Sequence, residues 1–510
     1  MSGGDLLYSG PDWDFGTLRR CYDAIDRIAT DELGLDCYPN RIEVITSEQM
    51  LDVYTAHGMP LTYKHWSYGK RFLQHEGSYR RGYTSLAYEV VINSNPCISY
   101  LMEENTATMQ ALVIAHAAFG HNHFFRNNHL FRQWTEASAI IDYLGFARNY
   151  IAACEDRYGV AAVERVLDAA HSLSRHGVHR HSGSRPMNLK LEEKRERERA
   201  EYDESIYDDL WRTLPDGKPA AGADKVAERQ RQLGLPEENL LHFLEKSSPR
   251  LHSWEREVIR IVRLIAQYFY PQPQCKVMNE GCATWVHQRV MTRLHETGQI
   301  DDAAFLEVLH STSNVIMQPG YDHPAGGPGF NPYALGYAVM TDIARVCEAP
   351  TAEDRAWFPH TAGNGDPLGT LRHIWANYRD ESFLLQFLSP KVMRDFRMFR
   401  LLDESTEPTL LVDAIHDDEG YRAIRRSLAR SYDPGLHDAD VQVIDVDLTG
   451  DRRLILEHRT QPGQLLSHKD ADATLKQIAA LWGYEVQLQE VNAETEAVLA
   501  THKAGPAALG

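Results

Sequence analysis

The stretch at residues 97–125, CISYLMEENTATMQALVIAHAAFGHNHFF, is apolar almost all round, and its reading decides the architecture. A helix of that character has no solvent face and belongs at the centre of a globular core. Asn95-Pro96 stands just ahead of it, a capping residue followed by the residue preferred at the first helical position, so a helix is predicted to begin there. At 1.5 Å per residue the stretch would run about 45 Å. A break is therefore predicted near Asn105-Thr106, which can cap a second helix.

Upstream, WDFGTLRRCYDAIDRIATDELGL spaces Leu18, Tyr22, Ile25, Ile28 and Ala29 along one face of an amphipathic helix that Gly34 ends. RIEVITS reads as a short strand or a helix entry, EQMLDVYTAHGMP as a helix closed by Gly58 and Pro60, and TSLAYEVVINSNP as a strand. A small sheet is expected in this part. Downstream, helical periodicity runs through WTEASAIIDYLGFARNYIAACEDRYG, AAVERVLDAAHSLSRHG, ENLLHFLEKSS, SWEREVIRIVRLIAQYFY and NEGCATWVHQRVMTRLHETG. KLEEKRERERAEYDE is a mixed charge run expected as a solvated helix, and DGKPAAGADKVAERQ supplies an internal linker at about 215–232. QPGYDHPAGGPGFNP is too rich in Gly and Pro for a regular element and reads as a site-lining loop. After about residue 435 the pattern changes to VQVIDVDLTGDRRLILEHR, ADATLKQIAALWG and YEVQLQEV. The fold class is thus mainly α: a helical body over 1–435, a ββαβ domain over 436–497 and a frayed tail over 498–510.

With 510 residues, 43% of them hydrophobic, the chain can bury a substantial core. Its formal charge of -19 argues against a general attraction to nucleic acid or anionic lipid. The seven cysteines are scattered singly, with no C-x-x-C pair, which fits a reducing compartment better than a disulfide framework or zinc ribbon. MSGGDLLYSGPDWD lacks the features of a signal peptide and no window approaches a membrane span, so no membrane insertion and a cytoplasmic location are expected. P-loop, dinucleotide, nucleophile-elbow and kinase signatures are missing, and nucleotide-dependent chemistry is disfavoured.

Three histidines within eight residues, His116, His121 and His123, lie in the apolar stretch. Buried imidazoles need partners, and a divalent metal (zinc, manganese or iron) is one candidate, hydrogen-bond networks the other. The pattern is not the zincin motif, since Ala117 and Gly120 occupy the positions of its glutamate and second histidine. On a regular helix His121 falls about 140° round from His116, so one ion would need a break at Gly120 or ligands from another helix. In Asn279-Glu280-Gly281-Cys282-Ala283-Thr284-Trp285-Val286-His287, Glu280 and His287 share a helix face, and the small residues between them allow close approach of a neighbour. Glu280 is a candidate catalytic carboxylate, with helix-terminal charge as its bland reading, and His287 a candidate ligand or structural companion. Glu104, beside Glu103 in apolar surroundings, is a second candidate acid or base, and Glu89 a weaker one. His171 heads a group with His176, His179 and His181 that otherwise reads as incidental, while Asn331 and Tyr333, at the start of a helix, are candidate substrate contacts that capping alone would explain.

LMEENTATMQALVIAHAAFGHNHFFRNNHLFRQWTEASAIIDYLGFARNYI, VMNEGCATWVHQRVM, NPYALGYAVMTDI and DESFLLQFLSPKVMRDFRMF resemble the bacterial SpoVR family, the stage V sporulation protein R proteins. HWSYGK and INSNPCISYLMEEN strengthen the likeness, which runs from about Leu18 through the C-terminal unit. The resemblance implies a link to spore cortex formation or, in bacteria that make no spores, to stress or stationary phase. It also implies partnership with a PrkA-type serine kinase and a von Willebrand-like domain protein. No established reaction comes with it. Cys282 departs from the family, which often has tryptophan there. Two readings follow: a metal-dependent hydrolase of an amide or peptide bond built on a buried His/Glu site, and a non-catalytic regulatory scaffold.

Overall fold

The computed structural model describes residues 6–55, 62–65, 89–180, 233–318, 329–402, 411–447, 450–460 and 464–505. The expected linker at 215–232, the mixed charge run before it and most of HWSYGK and of the Gly/Pro-rich loop lie outside these residues. The protein is mainly helical, with a small sheet in the N-terminal part and an α/β domain at the C-terminus. No helix among the described residues is long and apolar enough to cross a membrane. The chain forms two compact units, each assembled from separate segments: Met1–Pro60, Trp66–Gln133 and Pro271–Asp433 in the first, Leu61–His65, Trp134–Tyr270 and Pro434–Gly510 in the second.

In the first unit, β1 (Asn40–Ile45) runs parallel to β3 (Cys97–Met102), and β2 (Glu89–Ile92) pairs with β3 in antiparallel register, Glu89 opposite Leu101. The central strand β3 is buried along its whole length. This corrects the expectation of a helix starting at Asn95-Pro96. A strand buried on both faces reads as a continuous apolar run, which periodicity cannot tell from a buried helix. Asn95 and Pro96 instead make the turn from β2 to β3, joined by a cis peptide, and Ser94 Oγ donates to the Pro96 carbonyl at 2.7 Å. The helix begins after Thr106, whose side chain accepts from the Met109 N–H. The break near Asn105-Thr106 is thus the helix start. It continues as α-helix Ala107–Val113, π-helix Ile114–His121 and α-helix Asn122–Asn127.

One further helix closes on the π-helical turn, and a second packs behind it. Lys276–Glu296 packs against that turn and against Pro332–Glu348. Glycines permit the approach: a Cβ on Gly120 would lie 2.5 Å from Ala283 Cα, and one on Gly336 would lie 2.2 Å from the Val277 carbonyl oxygen. Asp380, fully buried, accepts from the Val277 and Met278 N–H groups at 2.8 and 2.9 Å, tying down the start of Lys276–Glu296. A two-stranded pair, β4 (Arg400–Leu402) with β5 (Leu411–Ala414), completes the sheets of this unit.

The second unit packs helices Ile140–Tyr158, Val160–Ser172, Leu240–Ser247 and Ser253–Phe269 with the C-terminal sheet around one hydrophobic core. That sheet has the order β6 (Val441–Val446), β7 (Leu454–Thr460), β8 (Val486–Asn492), β9 (Val498–Ala504). The parallel β7–β8 pair is joined through helix His468–Trp482, as a parallel connection requires. β9 falls in the segment expected to be a frayed tail. It pairs antiparallel with β8 and covers what would otherwise be an open edge.

Candidate metal centre on a π-helical turn

The chemistry gathers where the π-helix faces Lys276–Glu296. In a π-helix the amide bonds to the carbonyl five residues back, and here the Asn122 N–H donates to the Ala117 carbonyl. The widened turn places His116 and His121 on one side, with ring centroids 4.7 Å apart and planes at 84°. The α-helical geometry assumed from the sequence separated them; the extra residue in the turn is what unites them.

Two carboxylates meet these rings. Glu89, the first residue of β2, lies with Oε1 3.2 Å from His116 Nε2 and 4.0 Å from His121 Nε2. Glu280, in the first turns of Lys276–Glu296, lies with Oε2 3.5 Å from His121 Nε2 and 4.0 Å from His116 Nε2. The side chains of Glu89 and Glu280 are 17% and 14% exposed, so the centre sits at the edge of the interior. Glu89 Oε2 and Glu280 Oε2 are buried atoms with no hydrogen-bond partner among the described residues. Buried carboxylate oxygens left in that condition mark a place for a ligand.

The outer partners orient the rings. His121 Nδ1 is 2.9 Å from Asn279 Oδ1, so Nδ1 donates to that oxygen and Nε2 faces the carboxylates. His116 Nδ1 is 2.8 Å from His287 Nδ1, and His287 Nε2 is 3.2 Å from Thr312 Oγ1. This relay is satisfied with protons on His116 Nδ1 and His287 Nε2, and His116 then turns a second bare Nε2 into the centre. Burial, reinforced by neighbouring His121 and His287, pushes the His116 pKa well below the ordinary imidazole range. Burial pushes that of His287 down to about 3. Burial also drives the Glu89 carboxyl well above its ordinary value, and the Glu280 charge adds to the shift. Two imidazole nitrogens facing two crowded carboxylates form a donor set of the kind that holds a divalent cation.

Other expected residues stand elsewhere. His123 faces the opposite way, its Nδ1 3.0 Å from the Asp36 N–H and 3.1 Å from Asn127 Nδ2, with burial pushing its pKa down to about 4. His287 is one ring removed from the carboxylates, an orienting partner of His116. Glu103 and Glu104 are exposed in the turn after β3, where Glu104 accepts from the Ser47 N–H at 3.3 Å. The apolar helix that was to surround them starts only later. Tyr333 stacks near His116, ring centroids 6.4 Å apart, whereas Asn331 caps its helix by accepting from the Tyr333 N–H and donates to the Val315 carbonyl. His171 belongs to the second unit, with Nε2 2.6 Å from the Tyr63 hydroxyl and its ring stacked on His65. Cys282 is fully buried with Sγ against the Gly120 carbonyl, a small side chain at the closest approach of the two helices. Glu89, which the sequence offers as a weaker candidate, is brought to both rings by β2; its signal is a lone carboxylate in an otherwise apolar strand.

The family described as "SpoVR like protein" matches residues 12–437, and "SpoVR-like C-terminal domain" matches residues 439–493. A protein of Escherichia coli (strain K12) described as "Uncharacterized protein YcgB" is 50% identical over 486 residues, which is 95% of this chain and 94% of that one. No solved structure matches.

Proposed function

The chain belongs to the SpoVR family, and from the convergence of Glu89, His116, His121 and Glu280 we propose that it is a metal-dependent hydrolase of an amide or peptide bond. The single observation that carries the reading is the set of facing acceptors, two of whose carboxylate oxygens are buried without partners among the described residues. Glu89, His116 and His121 are the ligands, and zinc, manganese or iron suits a mixed imidazole and carboxylate set. When bound, the cation supplies Lewis acidity, polarising a carbonyl and making a water ionisable near neutral pH. Glu280 Oε2 accepts the proton of the attacking water and delivers it to the departing amine nitrogen. Asn279 and His287 hold the two imidazoles in orientation, and Tyr333 lies on the His116 side, where a substrate polar group can meet its hydroxyl. The family link to spore cortex formation or stress makes peptide and cell-wall-precursor amides the substrates to try, with a PrkA-type kinase and a von Willebrand-like protein as partners.

Elemental analysis of tag-free protein is the test. One equivalent of metal is expected to disappear in His116→Ala, with circular dichroism showing that the variant is folded. Glu280→Gln should keep that metal yet lose hydrolysis of a peptide and precursor panel by roughly 100- to 10,000-fold. Parent protein that stays metal-free after incubation with zinc, manganese and iron would sink the proposal and leave the regulatory scaffold standing.

A further inference from the structure

A second group of ligand-bearing side chains lies in the second unit, and the metal centre described above makes no use of it. His179 follows the 3₁₀ turn Ser174–His176, Glu237 sits in an isolated bridge to Val443 of β6, and His242 is in the first turn of helix Leu240–Ser247. His179 Nε2 is 3.0 Å from Glu237 Oε1, and His242 Nδ1 is 3.2 Å from Glu237 Oε2. The two imidazole rings stand 5.3 Å apart at 66°, as two faces of a cage rather than a stack. One ligand atom from each of the three residues falls within 4.8 Å of the other two.

We propose that His179, Glu237 and His242 bind a zinc ion, completed by water, that ties the turn after Val160–Ser172 to the start of helix Leu240–Ser247. Ligand atoms of a tetrahedral zinc, at bond lengths of 2.0–2.1 Å, stand about 3.3 Å apart. The two nitrogens meet opposite oxygens of Glu237, at 3.0 and 3.2 Å, so an ion between the rings needs only a small turn of that carboxylate, and the backbone can stay where it is. It is well fixed: Glu237 and Val443 exchange both backbone hydrogen bonds, at 3.0 and 2.8 Å, and the His242 N–H donates to Asn239 Oδ1 at 2.9 Å. The three side chains are partly exposed, which leaves an entry path and a fourth position for water. In binding, each imidazole offers a bare nitrogen to the ion and carries its proton on the other ring nitrogen, which breaks the long 3.4 Å contact from Asn239 Nδ2 to His179 Nδ1. The ion then joins two stretches of the chain that are far apart in sequence: the turn after Val160–Ser172, and residues 237–242, which bridge to β6 and start a helix.

The full-length protein, stripped with a chelator, is titrated with zinc against a competing chromophoric chelator in the His116→Ala background, which removes the first centre. One equivalent of zinc is expected to bind, and His242→Ala or, separately, Glu237→Gln should abolish it. Zinc should also raise the thermal midpoint of His116→Ala by several degrees, and the added substitutions should cancel the rise. A folded His116→Ala that takes up no zinc, or that keeps its zinc and its thermal shift with His242→Ala and Glu237→Gln added, overturns the inference. The two centres fail separately: zinc lost only with His116 speaks for the first alone, and zinc lost only with His242 and Glu237 speaks for the second alone.

Discussion

Asn279 Oδ1 lies 2.9 Å from His121 Nδ1, and this one bond determines which nitrogen of His121 faces Glu89 and Glu280. Outer hydrogen bonds of this kind commonly govern metal affinity by 10- to 100-fold. Asn279→Leu is close in volume and removes the acceptor. Its metal affinity in a competition titration should fall by about 10- to 100-fold. Affinity equal to that of the parent would mean that the amide does not orient the ring.

Without a cation, Glu89 and Glu280 oppose each other in surroundings that penalise charge, and that arrangement costs stability. Glu89→Gln should therefore make the chelator-treated protein more stable, by about 1 kcal/mol, while abolishing metal uptake. Urea unfolding in the presence of chelator reads the first effect and elemental analysis the second. A variant less stable than the parent would show Glu89 to be an ordinary structural carboxylate.

Glycine 336 and glycine 145 offer a matched contrast. A methyl group at Gly336 would meet the Val277 carbonyl at 2.2 Å, whereas one at Gly145, in helix Ile140–Tyr158, has nothing within 4 Å among the described residues. Gly336→Ala should destabilise by about 1–3 kcal/mol, because backbone must move. Gly145→Ala should stabilise by roughly 0.5–1 kcal/mol through the restricted unfolded chain. The two thermal midpoints should move in opposite directions.

Acid should act on Asp354. Its carboxylate accepts two bonds from the Arg345 guanidinium, at 2.7 and 2.8 Å, and caps its own helix at Thr351. The Arg345 bonds, ahead of those from Thr351, hold its pKa well below the ordinary carboxyl range. A depressed folded pKa gives stability that is present above the unfolded value of about 3.9 and is lost as pH falls toward the folded one. Asp354→Asn should cost about 1.5–3 kcal/mol at pH 7. The gap between parent and variant in urea midpoint should narrow from pH 5 downward; a gap independent of pH would argue against the ion pair.

Legibility in the sequence followed the regularity of the backbone. Glu280 and His287 were readable as one face because Lys276–Glu296 is a regular α-helix, and both indeed point toward His116. His116 and His121 were not, because an eight-residue π-helix follows no α-helical angle and leaves no signature in composition. Glu89 reaches the centre through strand pairing, and which strand pairs with which is invisible to local pattern. The same limit hid β3, whose unbroken burial imitates a core helix. The amphipathic first helix, Phe15–Arg27, and the strand–helix alternation near the C-terminus stand where periodicity put them, since there a single face is buried and the period survives.

The interleaving of the two units in the chain sets a timetable for synthesis. Glu89, His116 and His121 leave the ribosome long before Asn279, Glu280 and His287, and the first unit is complete only at Asp433. Until Lys276–Glu296 emerges the apolar 97–125 segment lacks that facing helix, and the nascent chain must shield it by other means. The second unit waits longer still, for β6 to β9 to cover Leu241, Val258 and Ile261. Truncating the gene at the family boundary near 438 would therefore not excise a self-contained module: it would yield a fragment with an open core, prone to aggregate.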